Sequence, residues 1–85
     1  MNFKVEKSDL EGVLIIEPAV HTDLRGRFFE SFQKKRYEEL GINEEFVQDN
    51  QSVSQKNTIR GLHYRVEPGQ SKLVRVIQGL VFDVV

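Results

Sequence analysis

The chain has 85 residues, 39% hydrophobic and 29% charged, with a formal net charge of −1 and no cysteine. A balance this close to neutral argues against a protein that wraps nucleic acid, where affinity comes from lysines and arginines that neutralise phosphates. A chain this short buries a modest fraction of its surface and has no disulfide to compensate, so a second copy or further sequence is expected to complete it.

Residues 1–7 read as a short strand and residues 8–12, Ser-Asp-Leu-Glu-Gly, as a turn. Residues 13–17 are a run rich in β-branched side chains, stopped by Pro18, with the pattern of a buried strand. Residues 21–26, HTDLRG, read as a loop. Residues 27–33 are rich in aromatics and alternate, with Phe28, Glu30 and Phe32 on one side and Phe29 and Ser31 on the other, which is strand periodicity. Phe28, Phe29, Phe32 and Phe46 are expected in the core rather than as stacking platforms for a base.

Residues 34–40 are the one helical candidate, closed by Gly41 as its C-terminal cap. Lys34, Lys35 and Arg36 followed by Glu38 and Glu39 have the look of a solvated helix face. Residues 46–54, FVQDNQSVS, alternate again, with Phe46, Gln48 and Asn50 opposite Val47, Asp49 and Gln51. After a loop at 55–57, residues 58–76 make two extended runs joined by the turn Glu67-Pro68-Gly69-Gln70. A turn at Gln78-Gly79 then leads into a further strand at 80–85.

About seven short strands with one small helix make an all-β sandwich or barrel. There is no internal repeat and no domain boundary. The last residues, VFDVV, form a strand with no turn or cap after it, so residues 1–85 are expected to be the amino-terminal part of a single larger domain, truncated after Val85. The amino terminus lacks the apolar core of a signal peptide, and no apolar run approaches membrane-spanning length. Together with the missing cysteines this favours the cytoplasm, with no membrane partner.

The chemistry concentrates in residues 58–76, where Arg60, His63 and Lys72 lie on two neighbouring extended runs. Imidazole, with an ordinary pKa near ~6.5, is available as a base at neutral pH, and positioned proton transfer supplies about 10²–10⁴-fold. Abstracting a proton beside a ketone also requires a fixed donor or charge at the oxygen that becomes anionic, a task that suits Lys72. In a regular strand Arg60 and His63 point to opposite faces, so they line one site only if the backbone is irregular at Gly61. Each residue also has a plainer reading: His63 as a histidine satisfied inside a sheet, Lys72 as an edge lysine that blocks pairing, Arg25 and Arg60 as surface arginines, Gln48 and Asn50 as a solvated face. Glu30 alternates with two phenylalanines, where a carboxylate needs a partner. The position two after His63 is Arg65, and no second histidine is near, so a metal is not expected.

The segments DLRGRFFESF, FVQDN, RGLHY and SKLVRVIQGLVFDV, in this order and spacing, resemble the amino-terminal half of the dTDP-4-dehydrorhamnose 3,5-epimerases, cofactor-free cupins of dTDP-L-rhamnose synthesis. The resemblance runs from Gly12 to Val85. It implies a cupin-type jelly roll and an isomerase that takes a dTDP-sugar, with no cofactor. His63 matches the base that removes the protons at C3 and C5 of the keto sugar, and Lys72 the lysine near the C4 ketone oxygen. Arg25, Glu30, Gln48, Asp49, Asn50 and Arg60 match positions that hold the nucleotide and diphosphate. It also implies a homodimer that shares amino-terminal strands. The family's proton-returning tyrosine, a further histidine and the acidic partner of the base fall beyond Val85, so the isolated chain is not expected to complete an inversion. Three readings stay open: an epimerase subunit or a fragment of one, a related sugar-nucleotide cupin acting at one carbon, and a non-catalytic binding module.

Overall fold

A strand persists only where its backbone groups find a ladder partner, and in this chain that happens near the amino terminus. The computed structural model describes residues 3–85, which fall into two units, Met1–Glu45 and Phe46–Val85. In the first unit β1 (Phe3–Lys7) pairs antiparallel with β2 (Leu14–Pro18), Phe3 opposite Pro18 and Lys7 opposite Leu14. Met1 and Asn2, the start of the first expected strand, lie outside the described residues.

The turn between these strands falls at 8–12 as expected. Ser8 Oγ accepts the Leu10 N–H at 3.1 Å and donates to the Leu10 carbonyl at 2.9 Å, and the Ser8 N–H closes on Val13 O at 3.2 Å. Gly12 supplies the positive φ of +84° that lets the chain re-enter β2. Along β2 the side chains alternate, with Leu14, Ile16 and Pro18 half-buried and Ile15 and Glu17 exposed. Lys4 stands opposite Glu17, a cross-strand pair of opposite charge on the wet face.

The stretch at 21–26 differs from its expectation. It is a second hairpin, β3 (Val20–Asp23) against β4 (Gly26–Phe29), with Leu24 and Arg25 as a two-residue turn. The reason is local: Asp23 Oδ1 accepts the Arg25 N–H at 2.8 Å, imitating a backbone turn, and Gly26 takes a φ of +137° that other residues resist. β4 then ends at Phe29, short of the expected 33, because residues 30–33 are engaged by the helix that follows.

That helix, α1 (Lys34–Glu39), sits where the sequence places it. Gln33 caps its start, Oε1 accepting the Arg36 N–H at 2.9 Å. Gly41 ends it at φ +90°, with Ile42 N–H on Tyr37 O at 2.9 Å and Gly41 N–H on Glu38 O at 3.0 Å, the paired bonds of a Schellman turn. Six residues are too few for a helix to persist alone, so packing holds it. Tyr37, 4% exposed, is the buried centre among the described residues, with Phe32 edge-on at 4.9 Å and Phe3 at 5.9 Å between ring centroids. The expected phenylalanine core is corrected accordingly: Phe28 is 66% exposed, Phe29 and Phe32 are also exposed, and Phe46 is half-buried.

In Phe46–Val85 the turn at 55–57 forms, with Thr58 N–H on Gln55 O at 3.3 Å and Asn57 at φ +67°. The strands expected at 46–54, on both sides of the 67–70 turn and at 80–85 are not formed, and Leu62 at 83% and Phe82 at 92% exposure show that their apolar faces are uncovered. Alternation marks a face that wants covering; it does not supply the neighbouring strand whose N–H and C=O groups make the ladder. The described elements, four strands and one short helix, agree with an all-β class carrying a helix at 34–40.

Candidate functional site

Glu30 is the best-built of the candidate residues. It leaves β4 into the strap before α1, where its side chain is 15% exposed, and its Oε2 accepts a charged hydrogen bond from Arg36 Nη1. The partner that a half-buried carboxylate requires is therefore Arg36. Arg36 is not part of a solvated face, as its place in a run of three cations had implied. Tyr37, the next residue, donates its O–H to the Ser31 carbonyl at 2.8 Å and fixes the same strap from the other side. Arg36 and Tyr37 are the residues that sequence reasoning passes over. The available signal was the need of Glu30 for a cation, and the lone aromatic in an otherwise polar helix.

Arg25 sits at the tip of the second hairpin, beside a shallow depression lined by His21, Asp23, Arg27 and Phe28. Its Nη2 and Nε reach Asp23 Oδ2 at 2.6 and 3.1 Å. The Arg25 side-chain bond, then the backbone bond from Arg25, holds the Asp23 carboxyl below its ordinary value. A depressed carboxyl stabilises the fold above its unfolded value, and that contribution disappears as pH falls through the folded one. Both groups are exposed, so salt weakens the effect. Arg25→Ala is expected to raise the Asp23 titration midpoint, and added salt to raise it in the parent; a midpoint indifferent to both, followed by carboxyl NMR, would show that the pair does not form in solution.

In the second unit Gln48 Nε2 donates to Asn50 Oδ1 at 3.2 Å, which places them on one side, with Asp49 exposed between them. Arg60 Nε donates to Ser54 Oγ at 2.9 Å. His63 and Lys72 are both exposed, and no hydrogen bond or ion pair joins either to another described residue. No ladder joins the two runs that carry them. Two segments converge on one point only when a common ladder sets their register, and neither run has one. Gly61 does show the irregular backbone expected there, with φ +114°, and a Cβ added to it would lie 3.8 Å from His63 Nδ1. Among the described residues no helix is long and apolar enough to cross a membrane.

Comparison with known proteins completes the picture. The family model for dTDP-4-dehydrorhamnose 3,5-epimerase matches residues 7–85. The chain is 50% identical over 82 residues to the dTDP-4-dehydrorhamnose 3,5-epimerase of Methanothermobacter thermautotrophicus, a match covering 96% of this chain and 44% of that protein. It is 55% identical over 82 residues to the protein of the same name from Shigella flexneri, covering 94% of this chain and 45% of the relative. The Escherichia coli K12 protein of that name is 52% identical over 82 residues, with 94% and 44% covered. The chain thus spans somewhat less than half the length of these curated relatives. No solved structure gives a significant match. On a family match that runs through nearly all of its length, this chain belongs to the dTDP-4-dehydrorhamnose 3,5-epimerase family.

Proposed function

We propose that residues 1–85 are the amino-terminal part of a single cupin-type jelly-roll domain. The complete protein epimerises dTDP-4-dehydro-6-deoxy-D-glucose at C3 and C5 in dTDP-L-rhamnose synthesis, without a cofactor. The observation that carries this reading is the identity of half or more, over nearly the whole chain, with proteins named for that reaction. His63 is the base that takes the protons from C3 and C5, each made acidic by the C4 ketone between them. Lys72 offers its ammonium to the ketone oxygen, where negative charge collects as the enolate forms. Inversion needs a proton returned from the opposite face of the sugar, a task for an acid outside these 85 residues.

Arg25, Arg60, Gln48, Asp49, Asn50 and Glu30 hold the nucleotide half of the substrate. The planar guanidinium forks suit the diphosphate, and the amides and carboxylates suit donors and acceptors on base and sugar. The protein works in the cytoplasm as a homodimer sharing amino-terminal strands. The test is exchange with solvent: the complete protein in deuterium oxide is expected to place deuterium at both C3 and C5 of the keto sugar. Label at one carbon alone would make it a single-site epimerase or a ketoisomerase, and binding with no label would make it a binding protein.

A further inference from the structure

Asp23 turns both carboxylate oxygens on one residue two positions ahead of it. Oδ1 accepts the Arg25 N–H at 2.8 Å, while Oδ2 accepts Nε at 3.1 Å and Nη2 at 2.6 Å of the same residue. The hairpin does not need the fork at Oδ2. Oδ1 alone imitates the backbone turn, and an ion pair this exposed, with the Arg25 side chain 91% and that of Asp23 52% accessible, adds little to stability. What the fork does fix is the plane of a long side chain at a hairpin tip.

The two ends of the fork stand on different ground. Asp23 lies in β3, where the ladder sets it opposite Gly26, and Arg25 is in the turn beyond it. A strand residue therefore anchors a turn residue, and groups on strands are held more closely than groups on loops. The contact also selects which donors stay available. Nε and Nη2 form the side edge of the guanidinium, and holding them leaves the parallel N–H pair at its far end, one on Nη1 and one on Nη2. That end-on pair matches two oxygens of a phosphate, and both residues line the shallow depression they share with Arg27 and Phe28.

We propose that Asp23 is a positioning residue, which by holding the side edge of Arg25 from β3 aims the end of the guanidinium at the diphosphate of the bound nucleotide sugar. This role rests on the nucleotide-sugar reading above and adds to it a residue that touches no ligand. A plain charge effect has the opposite sign. A carboxylate near a diphosphate repels it, so without the positioning role its neutralisation would tighten binding.

Calorimetric titration of dTDP into the complete protein tests this, with Asp23→Asn, Arg25→Ala and the double variant. Asparagine keeps one oxygen for the Arg25 N–H and has no second acceptor for the guanidinium, so it preserves the turn and removes the fork. Asp23→Asn is expected to weaken binding about three- to tenfold with little change in melting temperature, the range for a long side chain that must be ordered on binding. In the Arg25→Ala background the same substitution is expected to cause no further loss. Tighter or unchanged binding in Asp23→Asn would reduce Asp23 to a neighbouring charge or a turn residue and overturn the proposal. An equal loss in the Arg25→Ala background would overturn it too. Should Asp23→Asn not fold, Asp23→Ser, whose hydroxyl also accepts the Arg25 N–H, decides in the same titration. Unchanged binding in Arg25→Ala would remove Arg25 from the site and the proposal with it. A parent protein that does not bind dTDP would instead bring down the nucleotide-sugar reading itself.

Discussion

His63→Ala in the complete protein is expected to stop deuterium entering C3 and C5 of the keto sugar, with a loss of at least about 10²-fold, while affinity for dTDP stays within about twofold of the parent. The split follows from the role proposed for the residue. A base works on the proton in flight and adds little to ground-state binding, so its removal reaches turnover and leaves the nucleotide's contacts alone. Lys72→Met serves as the companion, because an ammonium at the ketone oxygen stabilises charge that appears only as the proton leaves. Exchange persisting in His63→Ala would take the imidazole out of the mechanism, whatever became of the lysine.

Tyr37→Ala is expected to cost about 3–5 kcal/mol, the usual range for emptying a buried aromatic site. Tyr37 is the buried side chain about which Phe3 and Phe32 pack, and its hydroxyl also satisfies the Ser31 carbonyl. Tyr37→Phe keeps the ring and forfeits the hydrogen bond, for about 1 kcal/mol. Urea denaturation of the complete protein, followed by far-UV circular dichroism, separates the two. Similar small losses in both variants would mean that the ring is not the centre of this unit.

What was legible in the sequence was mostly local. The turn at 8–12 and the end of α1 were readable because Gly12 and Gly41 occupy positive-φ positions that few other residues tolerate. The second hairpin reads as a loop in the sequence because its residues are polar. The signal was present in Asp23, two before the Arg25 N–H, and in Gly26 at the exit, a pairing that makes a tight turn. Tyr37 was hidden by composition, since a helix with one aromatic among charges looks solvated until the strap beneath it is known. The alternation in 46–85 was real as periodicity, but a ladder is a property of two segments, and a single run of sequence names only one of them. His63 and Lys72 likewise stand out through the family's motifs. Strand alternation alone set Arg60 and His63 on opposite faces, and the residues around Gly61, whose φ is +114°, form no strand to which that alternation would apply.

The fastening of Glu30 also bears on the order in which the molecule assembles. Arg36 reaches Glu30, and Tyr37 reaches Ser31, across separations of only six residues. Chain segments of about ten residues close in roughly 10–100 ns, far sooner than distant strands find one another. The carboxylate is thus oriented by its immediate neighbours early in folding, before long-range pairing begins.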